Sequence, residues 1–190
     1  MFINRLLEQN IEKSLFKGKI IIIYGPRQVG KTTLSKKLIE KYGSSSSYIN
    51  CDDIHNKQQL EIHNAEHLRK FLGEGKFFVL DEAQRVKNIE LTLKLIIDTF
   101  PDIQIVATGS SSFDLSNKTN EPLTGRALEF VLYPFSYSEL VSFAPLREIR
   151  ASLESLLRFG SYPAVFNKTE SESTTLLQNL ASQYLYKDVF

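Results

Sequence analysis

One cysteine, Cys51, stands in the whole chain of 190 residues. No internal disulfide can form, and cysteine used this sparingly points to a reducing compartment. A lone thiol of this kind reads as a buried structural group rather than a nucleophile. Long apolar runs are equally scarce. The longest, Ile20–Tyr24, falls far short of the ~18 residues a membrane helix needs. Met1 to Lys19 interrupts its apolar positions with Arg5, Glu8, Glu12 and Lys13, which the apolar stretch of a signal peptide does not tolerate. Excess charge of one sign is missing too. Lys and Arg number 23 against 22 Asp and Glu, a formal net charge of +1, which gives no sign of a nucleic-acid or membrane partner. These absences lead to the expectation of a cytoplasmic protein.

What is present is ordinary for a globular chain. Apolar residues make up 42% and charged residues 24%, enough for one domain with a sizeable core. Phe2, Ile3, Leu6, Leu7, Ile11 and Leu15 recur at helical spacing, so the chain opens on an amphipathic helix. Lys19–Tyr24 is a β-branched run too short for a helix and stops at a glycine. Such continuous apolar strands lie in sheets covered on both faces. Further strands are expected at Ser47–Cys51, Phe77–Leu80, Ile103–Ala107 and Ala127–Leu132, the last stopped by Pro134. Between them, Lys31–Tyr42, His55–Leu72 and Ile89–Phe100 read as helices. Strands alternating with helices predict an α/β fold: three layers, α/β/α, around a mainly parallel five-stranded sheet. That core covers residues 1–135. Residues 136–190 read as a small helical region, opened by the capping box Ser136-Tyr-Ser-Glu139 and continued by helices Glu148–Phe159 and Glu172–Phe190. Ser44–Ser47 and Ser110–Thr124 are polar loops. The apolar last residues lead to the expectation of a truncated chain that continues into a further domain.

The segment Gly25-Pro26-Arg27-Gln28-Val29-Gly30-Lys31-Thr32 matches the P-loop pattern G-x-x-x-x-G-K-[ST] at every fixed position, with Thr33 following. A triphosphate needs backbone N–H groups converging from a tight loop, and glycines permit that curvature. The loop also runs into a helix N-terminus, where unpaired N–H groups and the dipole favour an anion. Lys31 is placed to reach the β- and γ-phosphates of ATP, and the Thr32 hydroxyl to ligate Mg²⁺. Phe77-Phe-Val-Leu-Asp81-Glu82 supplies the second element, an apolar strand ending in two acids. Asp81 is expected to hold Mg²⁺ through a water, and Glu82 to polarise the water that attacks the γ-phosphate. Thr108, at the tip of a later strand, is the candidate to position that water or sense the γ-phosphate, ahead of Ser110.

These stretches, with Leu80-Asp-Glu-Ala-Gln84, Ala107-Thr-Gly-Ser-Ser111, Leu123-Thr-Gly-Arg126, Tyr133-Pro-Phe-Ser-Tyr-Ser-Glu139 and Gly160-Ser-Tyr-Pro163, together resemble one group of AAA+-type ATPases. Members of that group pair such a core with a C-terminal domain of unknown function. The resemblance implies strand order 5-1-4-3-2, which would set Thr108 between the P-loop and Asp81. It also makes Arg126 a candidate arginine finger or nucleotide sensor, beside the plainer reading of a surface cation next to a strand. A finger acting in trans would require a homo-oligomer.

Other readings carry less. Asn117-Lys-Thr-Asn120 departs from the guanine-reading N-K-x-D pattern at its last position, so ATP is expected over GTP. His63-Asn-Ala-Glu66-His67 matches H-x-x-E-H, yet it falls within a solvated helix rather than a zinc site. Two alternatives stand beside an ATP hydrolase: a switch gated by ATP or ADP with negligible turnover, which uses the same residues, and a phosphotransferase, which would need an acceptor pocket and a mobile arginine-rich lid, and no such segment is apparent.

Overall fold

A computed structural model describes residues 3–110 and 123–188 of the chain. They divide into two compact units, one made of Leu7–Pro26 with Lys31–Leu132, the other of the residues before Leu7, Arg27–Gly30 and the residues from Tyr133 onward.

The first unit is built on the apolar strands. β1 (Ile20–Tyr24), β2 (Ser46–Asn50), β3 (Phe77–Asp81), β4 (Gln104–Gly109) and β5 (Ala127–Val131) form a sheet of order β2-β3-β4-β1-β5. Read from the other edge this is the expected 5-1-4-3-2. Every neighbouring pair is parallel, with Ile23 opposite Thr108, Tyr24 opposite Val131 and Asn50 opposite Asp81. Parallel strands need a crossover between them. α2 (Lys31–Tyr42), α3 (Ile54–Leu60), α4 (Ala65–Leu72) and α5 (Ile89–Thr99) supply these. Side chains alternate across the sheet. Ile20, Ile22, Phe78, Leu80, Ile105 and Ala107 face Leu60, Leu68, Leu93 and Ile96 on one side. On the other, Phe77 stacks on Tyr42 of α2 with ring centroids 4.4 Å apart. Covering both faces explains why β1, β3 and β4 are buried along almost their whole length and mostly apolar rather than alternating, with Gln104, Thr108 and Asp81 their polar exceptions.

The single helix expected over His55–Leu72 is two. Asn64 adopts extended backbone and its side-chain oxygen accepts the His67 N–H at 2.9 Å, so it starts a new helix rather than continuing the old one. The break lets Leu60 on α3 and Leu68 and Leu72 on α4 all reach one core. The opening helix is also shorter than its periodicity suggested: α1 covers Leu6–Glu12, and Phe16 and Gly18 take left-handed backbone beyond it. Its buried Glu8 is held by Lys37 at 2.7 Å and Lys41 at 3.1 Å.

The second unit is helical: α6 (Tyr137–Phe143), α7 (Leu146–Ala151), α8 (Leu153–Phe159) and α9 (Glu170–Asp188). Ile3, Leu140 and Ile149 form its core with Phe135, Leu156 and Phe166. The capping box at Ser136 and Glu139 is present with both bonds. The helix expected over Glu148–Phe159 divides at Ser152, whose ψ is near zero and whose hydroxyl back-bonds to Glu148 O at 3.0 Å. Asn117–Asn120, and most of the loop expected at Ser110–Thr124, lie outside the described residues.

Candidate functional site

In a parallel sheet ligand-binding loops gather beyond the carboxyl ends of the strands. Gly25 follows β1 there, Asp81 closes β3, and Thr108 sits near the end of β4 between them. The curvature of Gly25–Gly30 comes from left-handed backbone at Gln28 and Gly30, with φ of 60° and 101°. Gly25 is required for a second reason. A Cβ at this position would stand 2.2 Å from the carbonyl oxygen of Leu132, the residue that extends the β5 pairing through its N–H to Tyr24 O. Any side chain there would push the loop off the strand beside it.

Lys31 is 5% exposed and stands at the first position of α2. Its Nζ donates to Gly25 O at 3.0 Å and Pro26 O at 2.9 Å, which holds the ammonium across the base of the loop. Pro26 and Arg27 are half-buried, Val29 is buried, and Gln28 and Thr33 face solvent.

Asp81 is the centre of the arrangement. The hydroxyl of Thr32 donates to its Oδ2 at 2.9 Å, and the Thr108 hydroxyl donates to Oδ1. A third donor was not anticipated from the sequence: Tyr48 OH reaches Oδ2 at 2.5 Å. Burial, and then the hydrogen bond to Asp81, push the Tyr48 phenol well above its usual range, so it remains a donor. Three hydroxyls converge on one buried carboxyl group, so both of its oxygens have partners. Nothing in Ser-Ser-Tyr48-Ile-Asn signals this role, because it exists only when β2 lies beside β3.

Glu82 comes next along the chain with φ 55° and ψ 41°, left-handed for a residue with a side chain. Such backbone costs of order 1–3 kcal/mol and collects at functional sites. Two contacts hold it. Its N–H donates to Thr108 Oγ1 at 3.1 Å, and its Oε2 accepts from Gln84 Nε2 at 2.5 Å. Thr108 therefore joins Asp81 to Glu82, and Gln84 orients the Glu82 carboxylate. Gln84 entered the sequence reading only as part of a resemblance. Cys51 lies behind Asp81, and burial first, then the nearby acids, pushes its thiol up to about 12, which makes it no nucleophile.

Arg126 is elsewhere. Its carbonyl accepts from Ile20 N at 2.8 Å, at the amino end of β5, and its Nε pairs with Asp98 at 2.7 Å. Arg126 lies level with Lys19, one residue before the Ile20–Ala127 pair, whereas Gly25 follows the far end of β1, roughly 20 Å away at ~3.3 Å per residue. Lys31, Thr32, Asp81, Glu82 and Thr108 come together; Arg126 does not join them. His63 also has another role, with Nδ1 3.1 Å from Thr92 Oγ1.

The residues fit a magnesium nucleotide. One carboxylate and one hydroxyl at the start of a helix are what Mg²⁺ takes from a protein when phosphates and waters complete its shell. Gly25 is packed against the Leu132 backbone so that only hydrogen can occupy its Cα on that side, which keeps the loop close to the strand end.

A family model described as an AAA domain matches residues 17–141, most of the chain. The chain belongs to the AAA domain family. Its general character as a nucleotide-binding ATPase of P-loop type follows from that membership. An uncharacterized protein of Methanocaldococcus jannaschii is 26% identical to this AAA domain over 203 residues, spanning 97% of this chain and 45% of that protein. Another, from Mycobacterium tuberculosis, is 24% identical over 184 residues, 94% of this chain and 38% of that one. The chain thus spans less than half the length of the curated relatives it matches. The solved structure of the Aeropyrum pernix ORC1 protein in complex with DNA shares the fold with a TM-score of 0.55, covering 99% of this chain and 62% of that chain at 14% identity. No helix among the described residues is long and apolar enough to cross a membrane.

Proposed function

We propose that this AAA domain binds ATP with Mg²⁺ and hydrolyses it. The observation that carries the reading is the Thr32 hydroxyl 2.9 Å from the Asp81 carboxylate, joining the end of the P-loop to the end of β3. In this reading Gly25–Thr33 binds the triphosphate through backbone N–H groups and the α2 N-terminus. Lys31 moves its ammonium from the carbonyls of Gly25 and Pro26 to the β- and γ-phosphates. Thr32 and Asp81 hold Mg²⁺, which when bound neutralises charge on the phosphate oxygens. Glu82 accepts the proton of the attacking water, as the oxygen bonds to the γ-phosphorus and the bond to ADP breaks. Thr108 fixes the distance between the metal-holding and base-carrying residues. Arg126, turned toward Asp98, takes no part within one chain.

Lys31→Ala should abolish nucleotide binding. Glu82→Gln should leave binding within about twofold of wild type and slow turnover ~10²- to 10⁴-fold, the usual contribution of a general base. Calorimetric titration with ATP and a phosphate-release assay measure the two separately. Wild-type hydrolysis by Glu82→Gln would show that another group activates the water. A nucleotide-gated switch predicts one fast turnover followed by slow ADP release instead.

A further inference from the structure

We propose that Arg5 is a positioning residue for the phosphate-binding loop, an assignment that rests on the ATP-binding reading above. Arg5 is 7% exposed although it carries a permanent charge. Its guanidinium makes separate contacts with each nitrogen. Nε donates to Glu139 Oε1 at 3.1 Å, Nη1 to Val29 O at 2.9 Å, and Nη2 to Tyr133 O. The plane also lies over the Phe135 ring, 4.9 Å from its centroid. Glu139 is fixed in turn by the N–H groups of Leu6 and Ser136, at 2.9 and 2.8 Å. All these residues belong to the helical unit, as does the Arg27–Gly30 part of the loop.

The bond to Val29 has a consequence that the others lack. No peptide bond among the described residues is cis, so the C=O of Val29 and the N–H of Gly30 point in opposite directions. With the carbonyl drawn to Arg5, the Gly30 N–H is directed away from the guanidinium and is available to an anion. Gly30 has φ of 101°, and a glycine there resists rotation of its peptide little. A rotated peptide would present the Val29 carbonyl to a phosphate. The charge-assisted bond outweighs that freedom and holds the orientation. Gly30 adjoins Lys31 in the chain, so the fixed peptide is the one that leads into the phosphate-binding lysine. Of the contacts the guanidinium makes, the Nη1 bond is the one that acts on the loop.

The test compares MgATP affinity, by calorimetric titration, in wild type, Arg5→Lys, Leu93→Ala and Lys31→Ala. Arg5→Lys keeps the charge for Glu139 but has no planar fork to span Glu139, Val29 and Tyr133 together. It should weaken ATP binding ~10-fold or more, the loss of one charge-assisted bond, at a temperature where it is folded by circular dichroism. Leu93→Ala, which opens a core cavity in the other unit and lowers stability, should leave the affinity within about twofold. An amide resonance of Gly30 displaced in Arg5→Lys and unmoved in Leu93→Ala is the second expected result. Should Arg5→Lys fail to fold, Glu139→Gln, which removes the charge pinning Arg5, must weaken ATP binding more than Leu93→Ala does. Wild-type affinity in whichever of the two variants folds overturns the assignment of Arg5. Absence of binding in wild type, matching Lys31→Ala, overturns the ATP reading and the Arg5 assignment with it.

Discussion

Asp81 shows how a single side chain acquires a role from its neighbours. Its place after an apolar strand marks it in the sequence, as Gly30-Lys31-Thr32 marks the loop. The hydroxyls that hold it come from three elements, of which only Thr32 and Thr108 were legible: Thr32 by its place in the P-loop pattern, Thr108 by standing at a strand tip. Tyr48 was not, because a tyrosine in a short strand is ordinary β-sheet composition until the strand order is known. Replacing it tests the network at this scale. Tyr48→Phe should lower the free energy of unfolding by about 1–2 kcal/mol, and by clearly less in an Asp81→Asn background, since the lost bond is then to a neutral acceptor. Urea denaturation of the four proteins measures the coupling; equal losses in both backgrounds would mean that the hydroxyl does nothing for Asp81. The left-handed backbone at Glu82 was equally hidden, because no pattern of residue types specifies it.

Elements were read well where one face carries a strict period and poorly where polar side chains compete with the backbone. α5 and the strands of the sheet appear close to where periodicity set them. The divisions at Asn64 and Ser152 depend on side-chain bonds of 2.9 and 3.0 Å that end one helix or begin another. Glu139 links two elements. It caps α6 through Ser136 N and meets the start of α1 through Leu6 N. Burial opposes its ionisation, but those two N–H groups and Arg5 together bring its carboxyl below the ordinary 4.5. A depressed folded value contributes stability that is complete above the unfolded value and is lost as pH falls through the folded one. Wild type should therefore lose stability as pH falls below the ordinary 4.5 that Glu139→Gln does not lose, the variant being weaker at pH 7 already. Chemical denaturation at stepped pH reads this directly, and parallel pH profiles for the two proteins would exclude Glu139 as the source.

For the whole molecule, ligand binding and folding are linked. A nucleotide that binds only the folded chain stabilises it by about 2.7 kcal/mol at a hundred times its Kd, or roughly 5–10 °C in Tm for a chain of this size. MgATP should raise the melting temperature of wild type by that order, chelation of Mg²⁺ should reduce the rise, and Lys31→Ala should show none. Equal shifts in wild type and Lys31→Ala would place the nucleotide away from the P-loop. The sequence by itself determined the α/β class, the positions of the strands and the residues of the loop. Strand runs, helical periods and G-x-x-x-x-G-K-T are local: each is enforced by the geometry of a few consecutive residues. Strand order came from resemblance alone and needed the folded sheet to be seen. Only the tertiary structure decided that Tyr48 donates to Asp81, that Gln84 holds Glu82, that Arg126 turns to Asp98, and that Arg5 carries the Val29 carbonyl. The bonds of Tyr48, Arg126 and Arg5 join residues from separate elements, and that of Gln84 depends on the left-handed turn at Glu82; none is set by a local pattern of residue types.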